Sequence, residues 1–298
     1  MVSGITDATR RFVIGAGAGR GEYVRLTESW RAILARRVYP EPVTSLLGEC
    51  LAAAALFTST VKMLQSDGRL SLQIQGGKPV SLLVAECRAD HTVRAMARIE
   101  GPASIGPGRS LKDLARGASF ALTIDPGGDY DAYQSLVPME DASVAGALNA
   151  YMARSEQIES QFALAADGTV CAGLLVQKVP QQGGRTDADA DPDTWDRIRT
   201  LASSVTRAEL LELGDTEILH RLFHQEEVRL LPERAVTFVC RCSKERVASV
   251  LRALGRDEIR GLLADRRTIE VDCDFCGLRH TFSAEEAWEA LASRASSP

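Results

Sequence analysis

Four cysteines crowd into 37 positions near the C-terminal end of this 298-residue chain, as Cys240-x-Cys242, thirty residues, and then Cys273-x-x-Cys276. No other feature restricts the fold as much, because two close thiol pairs on a short connector must converge if they share one ion. Thiolates at this spacing suit a tetrahedral zinc site, each pair offering two sulfurs to one side of the metal. The other three cysteines, Cys50, Cys87 and Cys171, stand singly among apolar residues and read as small buried hydrophobes. A total of seven cysteines is odd, and Asp7, Arg10 and Arg11 stand where a signal peptide would continue its apolar region. Both features argue against a secreted disulfide framework and for a cytoplasmic, reducing setting.

The cluster admits two readings. In one, zinc merely stabilises a small ribbon. In the other, the sulfurs react: a single residue between Cys240 and Cys242 leaves two thiols close enough to oxidise to one another. Arg241, Lys244, Arg246 and Arg279 lie beside the ligands, where they either lower the thiol pKa values or serve as solvated surface cations. Residues 240 to 281 carry nine Lys and Arg against seven Asp and Glu, a weak charge for a nucleic-acid ribbon. The whole chain has 35 Lys and Arg against 40 Asp and Glu, a net charge of −5, which argues against a phosphate-backbone partner. The longest strongly apolar stretch, Cys50 to Phe57, is far short of the ~20 residues a membrane span needs, so no membrane partner is expected.

Other motifs fall away. His280, four positions after Cys276, is an alternative ligand that four cysteines make unnecessary. His220 and His224 have the spacing of a metalloprotease helix, but Arg221 occupies the place of the general-base glutamate. The run Gly15-Ala16-Gly17-Ala18-Gly19-Arg20-Gly21 matches no phosphate-binding loop and leads into a strand, so it reads as a flexible loop.

Periodicity predicts an α+β protein. An imperfect strand is expected over 22–27, then a helix from about Thr27 carrying Trp30, Ile33 and Leu34, and a long buried helix from Val43 to Leu64. Leu70, Leu72 and Ile74 then alternate with polar residues, and Gly76-Gly77 turns the chain into strands over 80–86, 92–99 and 120–124. A helix over 148–159 and a hairpin joining 162–165 to 170–179 complete a mixed α/β-sheet domain over residues 1–180. Residues 181–193 contain two adjacent glycines, four aspartates and no large apolar side chain, the composition of a tether. Beyond it, Trp195, Ile198 and Leu201, then Ile218, Leu222 and Phe223, have helical spacing and few local partners. We read 181–232 as an amphipathic helical linker and 233–298 as a small zinc-binding domain with helices over 243–254 and 284–294.

The stretch Cys240-Arg-Cys-Ser-Lys-Glu-Arg-Val resembles the redox-regulated bacterial chaperones of the Hsp33 family, as do Cys273-Asp-Phe-Cys-Gly, Tyr151-Met-Ala-Arg-Ser-Glu-Gln, Arg221-Leu-Phe-His-Gln-Glu-Glu-Val and Arg20-Gly-Glu. Gln225 stands where an acidic residue is expected, and His280 where an aromatic is usual. The resemblance implies an ATP-independent holdase, inactive when reduced with zinc on Cys240, Cys242, Cys273 and Cys276. It further implies activation by oxidant and mild unfolding, with Cys240–Cys242 and Cys273–Cys276 disulfides and zinc release. Unfolding client proteins are the implied partners, and exposed apolar surface makes a homodimer the expected oxidised form. A zinc-dependent or thiol-disulfide enzyme is the alternative, and four sulfurs on one ion leave it no obvious open position.

Overall fold

The computed structural model describes residues 7–61, 63–101, 105–179, 193–264 and 266–292. The tether composition noted over 181–193 therefore lies almost wholly outside the described residues. The chain forms two compact units that divide between Val239 and Cys240.

The core of the first unit is the helix Glu41–Thr60, entered through Pro40 and Pro42 and buried on nearly every side. It ends four residues before the expected Leu64, where Val61 turns extended. By length and composition it would cross a membrane, although the sequence reading counted only Cys50 to Phe57. Here 83% of its apolar window is buried inside the protein. Two sheets sandwich it. The second sheet in the chain runs Thr237–Phe238, Thr92–Ile99, Lys78–Arg88, Arg69–Gln75, Ser119–Asp125 and Tyr133–Val137, and the pair Ala115–Arg116 joins Lys78–Arg88 off this path. Its inner residues Leu70, Leu72, Ile74, Leu83 and Phe120 pack with Leu47, Leu51 and Leu56 of the helix.

The first sheet is antiparallel in the order Val228–Ala235, Ala8–Ile14, Gly19–Leu26, Cys171–Lys178, Ser160–Ala166. Both its faces are buried. Val24, Leu26, Cys171 and Leu175 belong to the core around the central helix, whereas Phe12, Ile14, Tyr23, Leu174 and Val176 form a second core with the linker helices. Strand alternation produces this division, since neighbouring residues point to opposite faces.

Two strands of this sheet escape the sequence reading. Ala8–Ile14 contains Arg10 and Arg11 side by side, which break the apolar pattern. Arg10 is accommodated by ion pairs with Asp215, at 2.7 Å, and with Glu233. Val228–Ala235 is an edge strand with Pro232 in it and no fully buried side chain, so it carries little periodic signal. Residues 233–238, which the sequence reading places in the zinc domain, thus pair within the sheets of the first unit.

The glycine run is a built hairpin and not a flexible loop: Gly15–Gly17 forms a 3-10 turn between two paired strands. Gly15 has φ +64°, and a Cβ there would lie 2.7 Å from Thr194 Cγ2, so glycine lets the first linker helix approach. The expected helix over 148–159 is Val144–Tyr151 followed by a π-type turn over Met152–Glu156, ended by Gln157 at φ +55°.

The second unit has its own small core of Val247, Leu251, Ile259, Ile269, Phe282 and Ala287. It comprises helices Lys244–Leu254, Arg256–Ala264 and Ala284–Ala292 and the hairpin Thr268–Asp272 with Arg279–Ser283.

Candidate metal centre

Each cysteine pair is held by a local turn. Ser243 caps the helix Lys244–Leu254 by accepting from Arg246 N, which anchors the chain directly after Cys242. The other pair sits in the loop of the C-terminal hairpin, where Cys273 N donates to Leu278 O at 2.9 Å and Gly277 N to Cys273 O at 2.7 Å. Gly277 takes φ +69° to make that turn.

The two turns bring all four sulfurs within 4.8 Å of one another, with Cys240 Sγ 3.6 Å from Cys273 Sγ and Cys242 Sγ 3.4 Å from Cys276 Sγ. Four sulfurs at about 2.3 Å from one tetrahedral zinc lie about 3.8 Å apart, so this donor set fits the ion. All four cysteines are half-buried.

The electrostatics point the same way. Burial raises Cys240 to about 11 and, with the thiols of Cys276, Cys240 and Cys273 around it, raises Cys242 further still. Cys276 goes down despite burial, because Leu278 N–H and the three other thiols hydrogen-bond to it. One thiolate is thus stabilised at the expense of its neighbours, and a bound dication is what allows all four to ionise.

Three of the flanking cations have partners of their own. Lys244 pairs with Glu286 at 2.5 Å, and Arg279 pairs with Asp272 at 2.7 Å and Glu270 at 3.0 Å. Arg246 donates to the Arg241 carbonyl at 2.9 Å. These contacts brace the surrounding hairpin and helices.

His280 is buried on the same strand face as Phe282 and stands apart from the sulfur cluster. His220 and His224 are exposed on the last linker helix. Cys50, Cys87 and Cys171 are fully buried in the first unit. Burial pushes Cys87 up to about 12 and the other two well above the ordinary thiol value, so all three are poor nucleophiles.

The first unit offers a separate candidate surface, the covered face of the first sheet. Linker helices Thr194–Ser203, Arg207–Glu212 and Asp215–Phe223 bury Trp195, Ile198, Leu210, Ile218, Leu222 and Phe223 against it. Phe223 meets Phe12 at 6.2 Å between ring centroids. Polar anchors fix their placement: Tyr23 OH donates to Leu213 O at 2.9 Å, Arg25 to Leu210 O at 3.1 Å, and Trp195 Nε1 to Glu159 at 2.8 Å. Arg207 reaches Ser45 Oγ at 3.1 Å and the Ala166 carbonyl, and lies 3.8 Å from Glu49. None of these anchors carries a sequence motif.

The Hsp33 protein family profile matches residues 7–283. The chain is 41% identical over 283 residues to the 33 kDa chaperonin of Methylobacillus flagellatus, covering 95% of this chain and 94% of that protein. It is 39% identical over 282 residues to the 33 kDa chaperonin of Chromobacterium violaceum, covering 94% and 92%. Among solved structures it is similar to the 33 kDa chaperonin of Thermotoga maritima, with a TM-score of 0.75 at 22% identity over 96% of this chain and 98% of that one. That last likeness is one of fold.

Proposed function

The chain belongs to the Hsp33 family of chaperones, and on that premise we propose that it is a redox-regulated, ATP-independent holdase of the cytoplasm. In this reading it is inactive while reduced and zinc-bound, and it binds unfolding proteins once oxidised. The convergence of Cys240, Cys242, Cys273 and Cys276 in a unit with so small an apolar core carries the reading.

Zinc, when bound, supplies a tetrahedral tie among the four thiolates and much of the folding free energy of such a unit. The residues do the rest. Cys240 with Cys242, and Cys273 with Cys276, each lose two electrons as a thiolate pair becomes a disulfide; with hydrogen peroxide as oxidant, each bridge consumes one peroxide and two solvent protons and yields two waters. Sulfurs tied in disulfides no longer carry the charge that retains a metal, and the unit of 240–298 loses its largest stabilising contribution. The chain runs from Phe223 through the edge strand Val228–Ala235 to Cys240, so loosening at the cysteines reaches the linker along the backbone. Release of the linker uncovers Phe12, Tyr23, Leu174 and Val176 on the sheet together with the apolar faces of the helices themselves. An uncovered patch of this kind holds unfolding clients and favours a homodimer of the oxidised form.

In functional terms we assign client binding to 1–180, the releasable cover to 181–232 and the switch to 240–298, with 233–238 paired in the sheets of the first unit. The test measures zinc, free thiols and suppression of client aggregation before and after peroxide at raised temperature. One zinc and seven thiols should become no zinc and three thiols as holding activity appears. Thiol-disulfide turnover without any holding would favour the enzyme reading instead.

A further inference from the structure

The motif Arg20-Gly21-Glu22 takes no part in the metal centre or in covering the outer face of the first sheet. Gly21 lies beneath the Phe12 ring, where a Cβ would come within 2.1 Å of Phe12 Cζ. Its two neighbours therefore point to the opposite, inner face, by strand alternation. There they border a cavity of about 280 Å³ whose lining includes Arg11, Arg20, Glu22, Thr60, Leu175 and Gln177.

The cavity wall has an imbalance of charge. Among the described residues the Arg20 guanidinium has one polar side-chain partner, the neutral Gln177 Oε1 at 3.1 Å. Arg11 Nε stands 3.7 Å from Glu22 Oε2. Glu22 is 2% exposed, and the hydroxyls of Thr9 and Ser59 lie beside its carboxyl. Two guanidiniums, those of Arg11 and Arg20, thus line the cavity with a single carboxyl.

We propose that this cavity binds a small oxyanion, a carboxylate or a phosphate group, seated against Arg11 and Arg20 with the Glu22 carboxyl as a neighbouring donor. Guanidinium forks suit such oxygens. An anion next to a carboxylate is repelled, so binding requires Glu22 in its neutral form. The groups that face Glu22 are Arg11 and Arg234, which favour its charge, the hydroxyls of Thr9 and Ser59, and the Cys87 thiol from the second sheet. Burial outweighs the two arginines and raises the carboxyl to about 7, which keeps the neutral form accessible near neutrality. Arg20 is held below its ordinary value by burial and by the neighbouring Arg11.

The experiment uses the full-length, reduced, zinc-loaded protein and sulfate, whose charge does not change across the range, as the probe. Side-chain NMR should show a saturable shift of Arg20 Nε and the Gln177 amide, with affinity about tenfold weaker at pH 8 than at pH 6 as Glu22 ionises. Succinate and inorganic phosphate should displace the sulfate, and the tighter competitor identifies the ligand class. Glu22→Gln, a near-isostere, should bind equally at both pH values, and Arg20→Gln should lose the response while keeping its folded spectrum. The proposal is overturned by no saturable shift in the parent protein, by undiminished binding in folded Arg20→Gln, or by a pH dependence that survives in Glu22→Gln.

Discussion

The two faces of the first sheet are buried equally well and by opposite means. On the inner face a single helix of 20 residues, Glu41–Thr60, packs all round into one core with a second sheet. On the outer face three helices of 10, 6 and 9 residues are each buried along one stripe. Helices this short have little stability of their own and depend on the surface beneath them. Burial alone therefore does not distinguish the two coverings; the lengths of their elements and their one-sided packing do.

Removing the metal tests this contrast most severely. Cys273→Ser should abolish tight zinc binding, and a structural zinc contributes on the order of 10 kcal/mol to a small metal domain. Hydrogen exchange should then lose protection over 195–223 while residues 46–57 stay protected. Equal protection of both regions after zinc loss would erase the distinction between the faces.

Next in size is Phe223→Ala, which removes a side chain 1% exposed from the outer core. Its cost of about 3–5 kcal/mol should fall on the cover, so the reduced protein should bind an apolar dye and hold clients without oxidation. Leu51→Ala, fully buried in the inner core, should cost about 2–5 kcal/mol and lower the melting temperature of the first unit. It should give no dye binding and no holding in the reduced state, and a gain of either would show that the inner face also opens.

The smallest effect lies where the two layers touch, at Glu49 of the central helix and Arg207 of the linker. Burial lifts the Glu49 carboxyl to about 7, against the pull of Arg207. An acid whose folded value is raised binds more protons when folded, so its contribution is unaffected below about pH 4.5 and turns against the fold as pH rises through about 7. Glu49→Gln should flatten that decline, measured as the difference between variant and parent in denaturant midpoint from pH 5 to pH 8.

The inner half of this architecture was readable before any coordinates. Leu46, Leu47, Cys50, Leu51 and Phe57 repeat at helical spacing, and Leu70, Leu72 and Ile74 alternate before a Gly-Gly turn, because each segment faces one continuous apolar layer. The sulfur cluster was equally plain, since ligand spacing is a local property of the chain. What stayed hidden depends on distant partners. Arg10 reads as a surface residue until Asp215 and Glu233 close on it, and Val228–Ala235 reads as loop because an edge strand needs no apolar face. The helix Arg256–Ala264 does carry a stripe, Ile259, Leu262 and Leu263 at i, i+3 and i+4, but it is nine residues long with Gly261 inside it. The burial of Glu22 has no sequence signature, as a buried carboxyl looks like any other glutamate.

Val228–Ala235 has one further consequence. It occupies the border of the sheet and pairs with Ala8–Ile14 from Ala8 opposite Ala235 to Ile14 opposite Val228. If it peels away with the linker, the donors and acceptors of Ala8–Ile14 that it had satisfied become an open template. An extended polypeptide of any sequence carries the same complementary row of amides. Main-chain capture of this kind asks nothing of side-chain identity, which is the form of recognition required of a protein that must meet partners it has never been shaped to fit.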